Sequence, residues 1–155
     1  MTQWGVWVQG TVLALAQRPT KGGTVLVGDS LTLTPKDGVV GDHGKSKRRQ
    51  VTILDASLWE AACVEAGTHL PWTKRRANIL TQEIDLQNLV GKKIRIGTAT
   101  VQVLGEVDPC HVMDEAYMGL KDAMKHEWRG GVYARILKEG TVKIDDKITL
   151  IQSSQ

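Results

Sequence analysis

Apolar and polar residues alternate along much of the chain with a period of two, the spacing of strands that bury one face. From Trp4 to Ala16 the alternation runs through Val6, Val8 and Gly10 into the apolar stretch Val12 to Ala16, which predicts a long first strand. Shorter runs predict strands near Thr24 to Val27, Leu31 to Thr34 and Gln50 to Leu54, punctuated by Gly22-Gly23, Gly28-Asp29 and the turn from Pro35 to Gly38. Lys92 to Ile96 and Ala99 to Val107 flank Gly97-Thr98, where a glycine in first position suits a type II′ hairpin. Val132 to Leu137 and Thr141 to Leu150 flank "KEG", which predicts another hairpin with Gly140 as its left-handed residue.

Helical spacing interrupts this pattern in two places. In "LDASLWEAACVEAG", Ser57 and Glu60 have the spacing of a capping box, Leu58, Ala62 and Cys63 share a face with Ala66 nearby, and Gly67 fits the stop. Cys63, among apolar neighbours, reads as inert packing. Further on, Met113, Ala116, Tyr117, Leu120 and Met124 recur as the core stripe of one helix, with Asp108 as its cap and Pro109 in its first position. With no repeat and no Pro/Ser-rich linker, the expectation is one domain over residues 1–155, mainly β with flanking helices (α+β), closed as a barrel or curled sheet.

Composition narrows the function classes more than the fold. A chain of 155 residues, 41% hydrophobic and 24% charged, has the make-up of an ordinary soluble globule with a core of its own. Phe is absent and Trp occurs five times, so indoles supply aromatic volume and their N–H groups need partners. Two cysteines, no charged-then-apolar leader and no apolar run of membrane-spanning length predict free thiols, a cytoplasmic location and no membrane partner. A net charge of +3, from 20 basic and 17 acidic residues, is too mild to imply nucleic acid. Any anion must be held by local clustering.

Such clusters are present in "KSKRRQ", "TKRRANIL" and "EWRGGVYARIL", each of which sets arginines just ahead of a strand. Singly each reads as a solvated loop. Together they suit a small phosphate-bearing ligand, because guanidinium forks grip phosphate bidentately and Gly130-Gly131 permits a close backbone approach or an unusual turn. In "EVDPCHVMDE" the predicted helix start puts Cys110 in the first turn, where free backbone N–H groups and the dipole favour a thiolate, against competition from Asp108. Sharper motifs fail. "GVVGDHGKS" has five residues between its outer glycines where a phosphate loop has four. The histidines show no zinc-site spacing, and neither the G-x-S-x-G elbow nor the dinucleotide fingerprint occurs. A Cys110/His43 hydrolytic dyad could be assembled only by folding.

"GVVGDH" (Gly38 to His43), "RRQVTILD" (Arg48 to Asp55), "RRANIL" (Arg75 to Leu80), "LVGKKIRIG" (Leu89 to Gly97), "DPC" (Asp108 to Cys110) and "RGGVYARIL" (Arg129 to Leu137) occur in an order that resembles the MOSC domain, the module named for the C-terminal region of molybdenum-cofactor sulfurase. The likeness runs from about residue 5 to 150 and is to the small stand-alone bacterial members. It implies a β-barrel with flanking helices and a molybdenum-cofactor- or sulfur-binding function. The family's cysteine after proline falls on Cys110, implying a catalytic role as a persulfide carrier or a metal role as a molybdenum ligand. The R-x-N element falls on Arg76 and Asn78, whose arginine is associated with the pterin phosphate in molybdenum-binding relatives, and the G-D-x-H-like stretch falls on Gly41, Asp42 and His43, with His43 following Asp42 directly. Arg49 and Arg129 are the further candidates for cofactor binding. Where the family commonly has Gly-Asp, this chain has Asp145-Asp146, and aspartate can partly replace a permissive turn residue.

The alternative implied by the same resemblance is a molybdenum-dependent reductase of N-hydroxylated compounds, working with an external reductase because no flavin or iron-sulfur motif is present. The expected partners are therefore a small-molecule cofactor or substrate and no nucleic acid. Pyridoxal phosphate is not expected in this domain alone, and the sequence sets no oligomeric state and does not decide between turnover and carriage.

Overall fold

The computed structural model describes residues 8–44 and 46–151. Eleven strands are present among these residues: β1 (Val8–Gln17), β2 (Leu26–Gly28), β3 (Ser30–Thr34), β4 (Gly38–Val39), β5 (Val51–Asp55), β6 (Ile79–Gln82), β7 (Lys93–Ile96), β8 (Ala99–Glu106), β9 (Val132–Lys138), β10 (Gly140–Lys143) and β11 (Lys147–Leu150). The helices are α1 (Ala56–Ala66), α2 (His111–Ala116) and α3 (Leu120–Ala123), with 3₁₀ turns at Trp72–Arg75 and Gln87–Leu89. The part of the predicted first strand from Trp4 to Trp7 lies outside the described residues.

The large sheet has the order β11-β7-β8-β9-β5-β6-β1-β2, and pairing of β11 with β1 closes seven of these strands into a barrel. Only β5 and β6 run parallel, joined through α1, because parallel neighbours need a long crossover. β1 meets β11 with its first half and β2 with its last, while its other edge carries β6. The small sheet β10-β3-β4 covers the barrel and lends Leu31, Leu33, Val39 and Val142 to its core. A second apolar cluster lies outside the barrel, where Leu54 and Leu80 pack against Trp59, Cys63, Met113, Leu120 and Met124 of the helical layer. The indole N–H of Trp59 donates to the Leu70 carbonyl at 3.0 Å, which satisfies one of the predicted tryptophan partnerships.

The Gly97-Thr98 hairpin forms as its sequence predicts, with Ile96 paired to Ala99 and Gly97 at φ 59°. The "KEG" hairpin does not. β9 pairs with β5 and β8, whereas β10 pairs with β3, so the chain changes sheets at Glu139. Gly140 is needed for a crossing: a Cβ there would lie 2.4 Å from the backbone of Thr98 and Ala99. The run from Thr141 to Leu150 also breaks at Ile144 to Asp146, where Asp145 takes φ 76° and the Asp146 carboxylate accepts from the Lys143 N–H at 2.8 Å. Asp145 therefore supplies the left-handed turn residue here, a place aspartate tolerates better than most residues with a side chain.

Both helix starts differ from expectation by a small shift. Asp55, the last residue of β5, caps α1, with its side chain accepting from the backbone N–H and the hydroxyl of Ser57. Ser57 therefore lies inside the helix. Gly67 closes α1 at φ 92° as predicted. The methionine stripe is split between α2 and α3 by a bend at Tyr117 to Gly119; Met113, Leu120 and Met124 are buried, while Tyr117 is exposed. Cys110 is the N-cap of α2, outside its first turn. Among the described residues no helix is long and apolar enough to cross a membrane. Asp55→Ala is expected to cost about 1 kcal/mol of stability, the usual worth of an N-cap, and Ser57→Ala clearly less; urea unfolding of the two variants measures the difference.

Candidate functional site

Arginine is concentrated where β1 ends, β5 and β6 begin, and β8 leaves the barrel. Arg18, Arg49, Arg75 and Arg76 line one cavity of about 200 Å³, together with Thr52, Ala77, Val107 and Gly130. Like charges at this density repel, so each guanidinium needs either a counter-charge or carbonyl partners. The structure supplies these unevenly, and the differences indicate which arginines are available to a ligand.

Arg18 is neutralised. Its Nη2 lies 2.8 Å and its Nε 3.0 Å from Oδ2 of Asp42, whose carboxylate is almost fully buried, and its Nη1 donates to the Arg76 carbonyl at 3.1 Å. Asn78, with no exposed surface, sits beneath this pair. Its Oδ1 accepts from Arg18 Nη2 at 3.1 Å and from the Thr52 N–H at 3.0 Å, while its Nδ2 donates to Asp42 Oδ2 and to the Ala16 carbonyl, both at 3.1 Å. Asp42 and Asn78, both expected among the cofactor-binding residues, are buried and hold the Arg18 guanidinium in place. His43 is exposed, does not line the cavity, and uses its backbone N–H on the Arg18 carbonyl at 2.9 Å.

Arg75 is half-buried. Its Nε and Nη2 donate to the Gly130 carbonyl at 3.1 and 3.0 Å, and Nη2 also reaches the Val107 carbonyl at 3.1 Å. Burial lowers this guanidinium from its ordinary value, and the acidic side chains nearby act in the opposite direction. Arg76 ends the 3₁₀ turn in the left-handed region at φ 63°, a conformation costing on the order of 1 to 3 kcal/mol for a residue with a side chain. Its Nη1 and Nη2 hold the carbonyls of Gly23 and Thr20, pinning the β1–β2 loop beside the cavity that Arg76 also lines. Arg49 is exposed, and among the described residues its guanidinium has no hydrogen-bond partner.

Arg129 is not brought to the cavity. It is buried on the helical side, with Nη1 2.7 Å from Glu65 Oε1 and 2.9 Å from the Ala123 carbonyl. Its nearby glycines serve packing: a Cβ on Gly130 would lie 2.3 Å from the Val107 carbonyl oxygen, and one on Gly131, at φ 87°, 2.4 Å from that of Ile53. Glu65 is held below the usual carboxylate range by Arg129 first and His126 second. Sequence reading also passed over two cavity arginines. Arg18 had a signal, a charge directly before Pro19 where the first apolar run stops; Arg75 lay inside a quoted block, but its role could be assigned only after the turn geometry was known.

The two thiols have opposite surroundings. Cys63 is 2% exposed, and burial pushes it up from the ordinary thiol value. Cys110 is exposed and does not line the arginine cavity, and its side chain makes no capping hydrogen bond to α2. Among the described residues no group of three or more His, Cys, Asp and Glu side chains could hold a metal ion. A second groove of about 430 Å³ adjoins the cavity at Arg76, between the β1–β2 loop and the Val112, Glu115 and Ala116 face of α2. This pairing of a reachable soft donor with guanidinium forks fits a group carrying both phosphate and a thiophilic centre.

Residues 40–149 match the family model described as the MOSC domain, and the chain belongs to that family. Members are associated in general with binding the molybdenum cofactor or with sulfur handling. Among solved structures the chain is similar to the YUAD protein from Bacillus subtilis, at 20% identity and a TM-score of 0.76 over 91% of this chain and 94% of that one. It is also similar to YiiM from Escherichia coli, at 18% identity and a TM-score of 0.69 over 93% and 71%, and to YiiM from Geobacillus stearothermophilus, at 14% and 0.65 over 95% and 75%. These are likenesses of fold. No curated protein matches the chain. Brief alkylation of the native protein with iodoacetamide is expected to modify Cys110 and spare Cys63, as read by peptide mass spectrometry; equal labelling would contradict their difference in burial.

Proposed function

We propose that this chain is a single MOSC domain that binds the molybdenum cofactor or a sulfur-bearing relative of it, with Cys110 carrying sulfur or ligating molybdenum. The observation that carries the reading is a cavity walled by four arginines, of which among the described residues only Arg18 is paired directly with a carboxylate, with the exposed thiol of Cys110 three residues along the chain from the cavity-lining Val107. Phosphate favours Arg76 and Arg49, whose N–H donors are the less committed, whereas Arg75 and Arg18 add field while bracing the walls. Bound molybdenum would supply the redox chemistry, and the protein supplies position and charge. Cytoplasmic location, absence of nucleic acid and an external reductase belong to this proposal.

The adjoining groove favours a second reading. It leaves room for another molecule on the far side of Arg76, which supports turnover of a small substrate, such as reduction of an N-hydroxylated compound with electrons from an external donor.

Elemental analysis for molybdenum, with fluorescence of the oxidised pterin, on protein from a host that makes the cofactor tests the binding itself. Cys110→Ala is expected to abolish metal retention; unchanged molybdenum content would remove the thiolate from the ligand set. Arg76→Ala is expected to weaken cofactor retention by about 1.5 to 3 kcal/mol, the range for hydrogen bonds to charged groups. A loss no larger than that of Lys36→Ala, an exposed residue lining neither cavity, would count against Arg76 as phosphate anchor.

A further inference from the structure

Arg49 differs from the other cavity arginines in what holds it. Its guanidinium carbon lies over the ring of Tyr133, 4.7 Å from the centroid, and no carboxylate or carbonyl among the described residues takes its N–H groups. A guanidinium that rests its face on an aromatic ring keeps its in-plane donors for something else. The ring in turn is held from below and at its tip. Tyr133 pairs across the strands with Gly105 on β8, where a Cβ would come within 3.2 Å of the ring carbon Cε1 and of Oη. The Tyr133 hydroxyl accepts from Arg48 Nη2 at 3.4 Å. Glycine opposite an aromatic lets the ring lie over the bare backbone of its neighbour.

We propose that Tyr133 is a positioning residue that stores Arg49 over the cavity as the uncommitted arm that closes on bound phosphate, with Gly105 as the seat of the ring. An exposed arginine otherwise samples many rotamers, and the order it must acquire on binding opposes affinity. Stacking removes part of that disorder beforehand without using the donors the anion needs. The inference rests on the reading of the cavity as a phosphate site and adds to it a specific residue and division of labour: Arg18, Arg75 and Arg76 are fixed walls, and Arg49 is the part free to move.

Inorganic pyrophosphate titrated calorimetrically at low salt, into the intact protein, is the test. Tyr133→Phe, which keeps the ring face, is expected to bind within about a factor of two of the parent, and Tyr133→Leu to lose about two- to fivefold, the scale of an exposed cation–π contact. Arg49→Ala is expected to lose more than Tyr133→Leu, and the pair Arg49→Ala/Tyr133→Leu no more than Arg49→Ala alone, because the ring acts only through Arg49. Gly105→Ala, which presses a Cβ against the ring and shifts it by a few tenths of an ångström, is expected to lose less than Tyr133→Leu, and a thermal unfolding midpoint for Tyr133→Leu within a few degrees of the parent's guards against a folding defect in that variant. Equal binding by the Phe and Leu variants, or a Tyr133→Leu loss that persists in full without Arg49, overturns the positioning role. Failure of the parent protein to bind pyrophosphate overturns the phosphate site itself, and the two failures are thereby separated.

Discussion

The arrangement of the site depends on a single buried amide. Asn78 has no exposed surface, and its side chain bonds at once to β1 through the Ala16 carbonyl, to β5 through the Thr52 N–H, and to the Arg18–Asp42 ion pair. An amide so placed can be removed only by leaving several buried partners without bonds, a cost of roughly 1 to 3 kcal/mol for each. It stands at the barrel's parallel seam, two residues beyond Arg76. The same atoms that fix how the strands meet therefore fix where a cluster of positive charge may stand.

Charge at this density is tolerable because compensation is graded. Asp42 pairs fully with one guanidinium, backbone carbonyls solvate two more, and an aromatic ring bears the last. Carbonyl dipoles stabilise a cation without cancelling its charge, so the cavity keeps a positive field that ion pairing would have removed. The left-handed backbone of Arg76 belongs to the same arrangement, since it lets one side chain reach both the β1–β2 loop and the cavity rim. Strain held at such a place is compensated by the contacts around it.

Local chemistry made much of the fold legible. Gly97 and Gly67 declare a turn and a helix stop because each takes a left-handed backbone within its own short segment. Gly140 was misread because its need for a bare Cα comes from Thr98 and Ala99, more than forty residues away, where no local pattern reaches. The cap of α1 is displaced for a related reason, as Asp55, still in the strand before it, accepts from the Ser57 N–H and so starts the helix two residues earlier. In the site, the order of motifs pointed to Arg76, which lines the charged cavity, and to Cys110, which is exposed but lines neither the cavity nor the adjoining groove. It could not tell a ligand contact from a brace: Asp42 and Asn78 are spent inside, and Arg129 is drawn to Glu65 on the opposite side of Gly130. Those distinctions belong to distances between strands, which spacing along the chain does not record.

The contrast between the two sulfur atoms reaches into redox biology. Were the exposed one oxidised to a sulfenic acid, repair would ordinarily come from a resolving cysteine nearby, forming a disulfide that a reductant then opens. The chain has only one other cysteine, and it lies on the buried face of α1, sealed among aliphatic and aromatic groups. Recovery from peroxide must then depend on a thiol from solution, glutathione or its equivalent, capping the damaged atom before further oxidation becomes irreversible.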